Sequence, residues 1–224
     1  MEVKKQYLLV GFVVLACAIM GYVDAILQPG YGIKSVIKII VFISLPFLYS
    51  FVDKDYTITN SLVVKLSRVK IAVVIGIGIY VVIVGAYLLF KDVFDFSALT
   101  TSLNQSTGVN ASNFMSVALY ISVVNSFLEE FFFRGFAFLT LRRLTSRRFA
   151  YGFSSLMFAL YHIAMMIGWY DFIVVSICLI GLMIGGCIFN YFDESDESIY
   201  LSWLIHMFAN LATNTIGCML FNLG

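Results

Sequence analysis

Apolar residues gather into seven long runs separated by short polar breaks, at about 6–27, 35–52, 68–90, 113–139, 149–168, 171–192 and 198–221. Each run approaches the roughly 20 apolar residues that an α-helix needs to cross a bilayer. The pattern predicts an all-α, polytopic membrane helix bundle of about seven spans joined by short loops. Lys4 and Lys5 precede the first run as they would in a signal peptide, but the run is too long and no clear small-x-small cleavage site follows it. Pro46 lies inside the second run and is expected to kink it. Gly181-x-x-x-Gly185, followed by Gly186, predicts close helix packing in the sixth. Residues 91–112 form the longest polar loop in this reading.

Composition agrees with the pattern. Of 224 residues, 61% are hydrophobic and 12% charged, with 22 Phe and 13 Tyr. A soluble domain carries about 25% charged residues, so a soluble or disordered chain is excluded. A net charge of +1 without a broad basic face excludes a nucleic-acid partner and leaves the lipid bilayer as the first expected partner. Cys17, Cys178, Cys187 and Cys218 all fall in apolar runs without a CxxC or CxxH spacing, and are expected to be small buried core residues.

Basic residues set the expected orientation. With the N-terminus cytoplasmic, the inner segments carry Lys4, Lys5, Lys54, Lys65, Arg68, Lys70, Arg142, Arg143, Arg147 and Arg148. The outer loops then carry Lys34, Lys38 and Lys91. A multi-pass protein of the cell membrane with a cytoplasmic N-terminus follows. Asp193, Glu194, Asp196 and Glu197 fall in an inner loop, and the basic cluster 142–148 is expected to meet anionic headgroups.

Ionisable residues inside the spans carry the candidate chemistry. The fourth run contains Glu129, Glu130 and Arg134. Each charge costs about 2.5–3.5 kcal/mol at a helix centre, and each Phe, Leu, Ile or Val returns only about 0.3–0.6 kcal/mol. That helix therefore needs partners or a wet cavity. Glu130 and Arg134 are four apart, on one face, and predict an ion pair. Glu129 is rotated about 100° away and points elsewhere. The only histidines, His162 and His206, lie deep in two other runs. Ser202, His206, Asn210 and Asn214 form a polar stripe at four-residue steps; Ser155 and His162, and Asn125 and Glu129, form two more. Three polar stripes in apolar helices can be buried only against one another, which predicts a cavity lined by Glu129, Glu130, His162, His206 and Asn210.

Such a set permits two chemistries. A carboxylate and an imidazole sharing a water form a general-base pair, while a second imidazole and an amide donate to an oxyanion. No cofactor is then required. Alternatively, Glu129, His162 and His206 form a ligand set for Zn²⁺ with an open position, although no HExxH helix is present.

The motifs Glu129-Glu130-x-x-x-Arg134, Phe158-x-x-x-His162 and His206-x-x-x-Asn210, in this order on three separate spans, resemble those of the CPBP family of CAAX-protease and bacteriocin-processing (Abi) intramembrane proteases. The surrounding SSLMFALYH and SIYLSWLIHMFANL segments resemble the family's second and third motifs. The resemblance covers about residues 122–214. It implies that Glu129 and His162 activate water, His206 and Asn210 stabilise the oxyanion, and Glu130 braces the site through Arg134, with Phe158 as structural support. Ala209 stands where the prenyl-protein branch carries Cys, so the resemblance is nearer to bacterial members. It implies as substrate a hydrophobic or amphipathic peptide or a membrane protein. The chain reads as a single integral membrane domain, 1–224, with a motif-bearing core at about 113–221 and spans in 1–90 that carry no recognised motif. The competing reading is a non-catalytic membrane immunity or scaffold protein of the same fold that binds a peptide or protein partner.

Overall fold

A computed structural model describes residues 2–57, 59–64, 68–93, 97–166 and 172–223. Lys65, and the expected span boundaries at 168 and 171, lie outside the described residues. Among the described residues the chain forms eight helices and no strand. α1 (Glu2–Tyr22) closes in a π-helical turn, Val23–Leu27, and α2 spans Tyr31–Ser50. A 3₁₀ turn, Asn60–Leu62, precedes α3 (Val69–Phe90) and α4 (Ser97–Thr107). α5 is one helix, Phe114–Leu144, interrupted by π-helical stretches at Ile121–Asn125 and Phe131–Phe138. α6 (Arg147–Met166), α7 (Phe172–Asp196) and α8 (Tyr200–Leu220) complete the bundle. Each of the seven expected runs forms a helix over all but at most two described residues at either end, and Pro46 is accommodated within α2. The expected polar loop 91–112 contains α4 instead.

Among the described residues, five helices are long and apolar enough to cross a bilayer: Lys4–Leu27, Tyr31–Ser50, Val69–Phe90, Phe114–Leu144 and Phe172–Asp196. The chain is a multi-pass membrane protein. α6 and α8 occupy the other two expected spans and carry His162, His206, Asn210 and Asn214.

α5 is the axis of the fold. Every residue of Phe131–Phe138 is buried, Arg134 among them. Phe42 of α2 stacks on Phe132 at 4.2 Å, and Tyr161 of α6 lies 5.5 Å from the Phe133 ring. α3 leans on α8 instead: a Cβ at Gly76 would lie 2.4 Å from the Phe208 ring, so only glycine allows this approach. Outward faces are apolar, with Val74, Val82, Leu89 and Phe172 among the most exposed, as a lipid-facing surface requires.

Polar connections gather at one end of the bundle. Asp53 accepts from Lys5 (2.7 Å) and Arg143 (3.3 Å), and Glu194 accepts from Arg142 (2.6 Å), Arg147 (2.7 Å) and Tyr151 (2.8 Å). The basic cluster expected to meet lipid headgroups is thus largely engaged by the chain's own acids.

Several expectations are corrected. Lys34 and Lys38 are not loop residues; they are buried in α2. Asp193 is not in a loop but in the last turns of α7, fully buried, where it accepts from the Ser202 hydroxyl at 2.7 Å. Gly181 and Gly185 face open space; of the three glycines, Gly186 makes the close contact, against Ser155. None of the four cysteines is buried, and Cys187 is exposed. Small residues in an apolar run are as compatible with a lipid-facing surface as with a core.

Candidate active site

Glu129 and Glu130 lie on the one regular turn of α5 between its two π-helical stretches, and both are buried. A π turn leaves backbone carbonyls without their usual helical donors, and in a membrane those carbonyls need partners from neighbouring helices. α8 supplies them. Asn210 Nδ2 donates to Ile121 C=O (3.1 Å), Trp203 Nε1 to Val123 C=O (3.0 Å), and Asn214 Nδ2 to Ala118 C=O (3.0 Å) and Ser122 Oγ (2.9 Å). The polar stripe of α8 therefore fastens that helix along α5. The same register carries His206 to Glu130 and Ser202 to Asp193.

Adjacent glutamates diverge by about 100° and have separate surroundings. Glu130 Oε1 meets His206 Nδ1 at 2.7 Å and Arg134 Nη1 at 3.2 Å. The Arg134 guanidinium is fully buried, 3.9 Å from the Phe158 ring centre and 4.8 Å from that of Phe189. It forms an ion pair with Glu130 and stacks on aromatic faces, and it makes no hydrogen bond of good geometry. Phe158 has a second role: its carbonyl accepts from His162 Nδ1 at 2.8 Å.

Glu129 faces α2 and α6. Its Oε1 accepts from Asn125 Nδ2 (2.9 Å), Lys38 Nζ (3.0 Å) and Tyr161 Oη (3.3 Å). Its Oε2 is buried without a hydrogen-bond partner, 3.4 Å from His162 Nε2 and 3.8 Å from His206 Nε2. Both imidazoles are oriented by their other nitrogen. Phe158 C=O can only accept, so His162 carries its proton on Nδ1; the Glu130 carboxylate holds the Nδ1 proton of His206 in the same way. In the neutral rings, two Nε2 lone pairs and one carboxylate oxygen therefore converge on one small volume. These three atoms lie within 4.8 Å of one another.

The arrangement brings together Glu129, His162 and His206, with Glu130, Arg134 and Phe158 around them. It ties Asn210 to the α5 backbone by one of its two amide hydrogens. Convergent lone pairs can share a water or take a cation, and metal-bound imidazoles commonly donate their second nitrogen to a carboxylate or carbonyl, as here. Lys38 and Tyr161 were not among the expected site residues. For Lys38 a signal existed: Lys34 and Lys38 are four apart in an apolar run, which places both on one helix face.

Residues 111–212 match a family model described as Rce1-like, type II CAAX prenyl endopeptidase Rce1-like. The match spans all three motifs and leaves α1–α4 outside it. No curated protein matches the chain, and no solved structure does.

Proposed function

We propose that this chain, whose residues 111–212 match the Rce1-like CAAX prenyl endopeptidase family model, is an intramembrane endopeptidase that hydrolyses a peptide bond in a membrane-associated peptide or protein. The observation that carries this reading is the unpartnered Glu129 Oε2 facing the bare Nε2 of His162 at 3.4 Å. A water held between these atoms donates to both. As its oxygen bonds to the scissile carbonyl carbon, its proton passes to Glu129 Oε2. The C–N bond then breaks, and that proton leaves on the amine. In this scheme His206, its Nδ1 2.7 Å from the Glu130 carboxylate, donates to the oxyanion when its Nε2 carries a proton. The second amide hydrogen of Asn210 is the further donor in this scheme. Arg134, stacked on Phe158, holds Glu130 in place.

The convergence of three lone pairs also favours a second reading, in which Glu129, His162 and His206 hold a divalent cation such as Zn²⁺. When bound, the cation supplies Lewis acidity and a hydroxide at neutral pH. Against it, the Lys38 ammonium 3.0 Å from Oε1 already meets the carboxylate's charge and would repel a dication. We favour the cofactor-free glutamate mechanism. The basic balance of the segments joined at the charged end supports a cell-membrane protein with that end, and the N-terminus, facing the cytoplasm.

Incubation of purified protein in detergent with a pool of amphipathic peptides, read by mass spectrometry, tests the proposal. Wild type and Glu129→Ala are compared with and without a strong zinc chelator, and metal content is measured in both proteins. Cleavage lost with Glu129 and indifferent to chelator is the expected result. Loss with chelator, together with stoichiometric metal, would transfer the mechanism to the cation. An unchanged cellular phenotype in Glu129→Gln would favour the non-catalytic immunity or scaffold reading.

A further inference from the structure

α2 lies outside the segment that matches the family, yet it contributes a side chain to the buried carboxylate. A lysine buried without a counter-charge is costly in a membrane, so two buried lysines on one face of α2 each demand an acid. Each has one on a different helix. Lys34 pairs with Asp24, in the π-helical turn that ends α1, at 2.5 Å. Lys38, 4% exposed, donates to Asn125 Oδ1 at 2.6 Å and to Glu129 Oε1 at 3.0 Å, with its ammonium 5.1 Å from the Tyr161 ring centre. Because Asp24 occupies Lys34, the ammonium one turn away is committed to Glu129.

The consequence lies in which carboxylate oxygen remains. With three donors on Oε1, a quarter turn of the carboxylate would break these bonds. Oε2 is thereby held toward His162 and His206. We propose that Lys38, from the N-terminal half of the chain, is a positioning residue of the active site: it fixes the Glu129 carboxylate so that Oε2 alone faces the two imidazoles. This rests on the endopeptidase reading above, since it gives Glu129 its work. Lys38 touches neither water nor peptide in that scheme.

The test uses the full-length protein in detergent. Lys38→Met keeps the length of the side chain and removes the charge; Lys38→Arg keeps the charge; Lys34→Met is the comparison on the same helix face. Misplacing a catalytic group by about 1 Å costs about 100-fold in rate, so Lys38→Met is expected to lower kcat about 100-fold with KM nearly unchanged. Lys38→Arg should restore a large part of kcat, and Lys34→Met should act on thermal stability rather than on kcat. A second measurement does not need turnover: melting temperatures of Lys38→Met, Glu129→Gln and the double variant. A double loss smaller than the sum of the single losses is expected, because the two side chains act as one pair. Wild-type kcat in Lys38→Met beside an inactive Glu129→Ala would overturn the proposal and leave the endopeptidase reading standing. Additive losses of melting temperature would also overturn it. If the wild type cleaves nothing, the endopeptidase reading fails by itself, and the cycle still decides whether Lys38 holds Glu129. Should Lys38→Met not fold, Lys38→Gln, which keeps a donor without the charge, takes its place in both measurements.

Discussion

α5 and α3 are both long enough to cross a membrane, but they are used in opposite ways. α5 has the lowest mean hydropathy of the five candidate spans, and 56% of its window is buried inside the protein. α3 is among the most apolar, and only 6% of its window is buried. α2 and α1 fall between, at 33% and 28%, and α7 lies near α3, at 11%. In water the apolar segment goes inside. In lipid, apolar surface gains little by leaving the solvent, so packing and polar contacts decide what is enclosed. The helix with Glu129, Glu130 and Arg134 is enclosed because these groups have nowhere else to be satisfied. α3 is left to face lipid, held to α8 by the close approach at Gly76 and by the hydrogen bond between Tyr80 Oη and Thr215 Oγ1 (3.0 Å).

The contrast can be broken most severely at the enclosed helix. Glu129→Ala or His162→Ala should lower cleavage by about 10²–10⁴-fold, while the amount of folded protein in the membrane stays normal. Quantified cleavage against a tagged protein level checks this, and wild-type turnover in either variant would contradict the mechanism. Arg134→Leu should instead attack folding. It leaves Glu130 buried beside His206 without its fixed cation, a loss of about 3–5 kcal/mol. Folding yield should collapse in Arg134→Leu and recover partly when Glu130→Gln is added, as read by size-exclusion profile and melting temperature.

Smaller effects come from the lipid-facing helix. Val74→Asn places an amide on the exposed face of α3, and its cost should be on the order of 1–2 kcal/mol, the range of a polar contact in a membrane helix. Val82→Leu on the same helix should stay within about 0.5 kcal/mol of wild type. A large loss from Val82→Leu would mean that this face packs against another protein rather than lipid.

The smallest change is expected outside the spans. Burial pushes the Asp53 carboxyl up, but hydrogen bonds from Lys5 and the Asp55 N–H, with Arg143 nearby, outweigh it and hold the group below its ordinary value. A carboxyl lowered in the folded state stabilises at pH above its unfolded value, and that stability is lost as pH falls through the folded value. Wild type should therefore lose melting temperature below about pH 4, and Asp53→Asn should lose less over the same interval. Equal slopes would show that the Lys5–Asp53–Arg143 contact contributes nothing.

How much of this was legible differs from residue to residue. The Glu130–Arg134 pair follows from four-residue spacing, and a 3.2 Å contact joins the two. His162 and His206 stood out as the only histidines, each in an apolar run, and they meet Glu129 across three helices. The polar stripe of α8 was visible, but its use was not: Asn210 and Asn214 each donate to a backbone carbonyl of α5. Lys38 and Asp193 were assigned to loops because charge near the end of an apolar run usually marks the membrane surface. Both are buried, and no local pattern reports the partner that makes burial tolerable.

The sequence by itself determined that this chain lives in a membrane, which long apolar segments are helical, and which few polar residues must find one another. Those properties depend on composition and on spacing within one helix, and the chain states both directly. Only the tertiary structure decided which helix is the axis, that α2 rather than α3 reaches Glu129, and which carboxylate oxygen is left facing the histidines. Those outcomes depend on register between helices. Each π turn in α5 adds a residue to the turn and rotates the faces beyond it by about 100°, a displacement that periodicity along the sequence does not record.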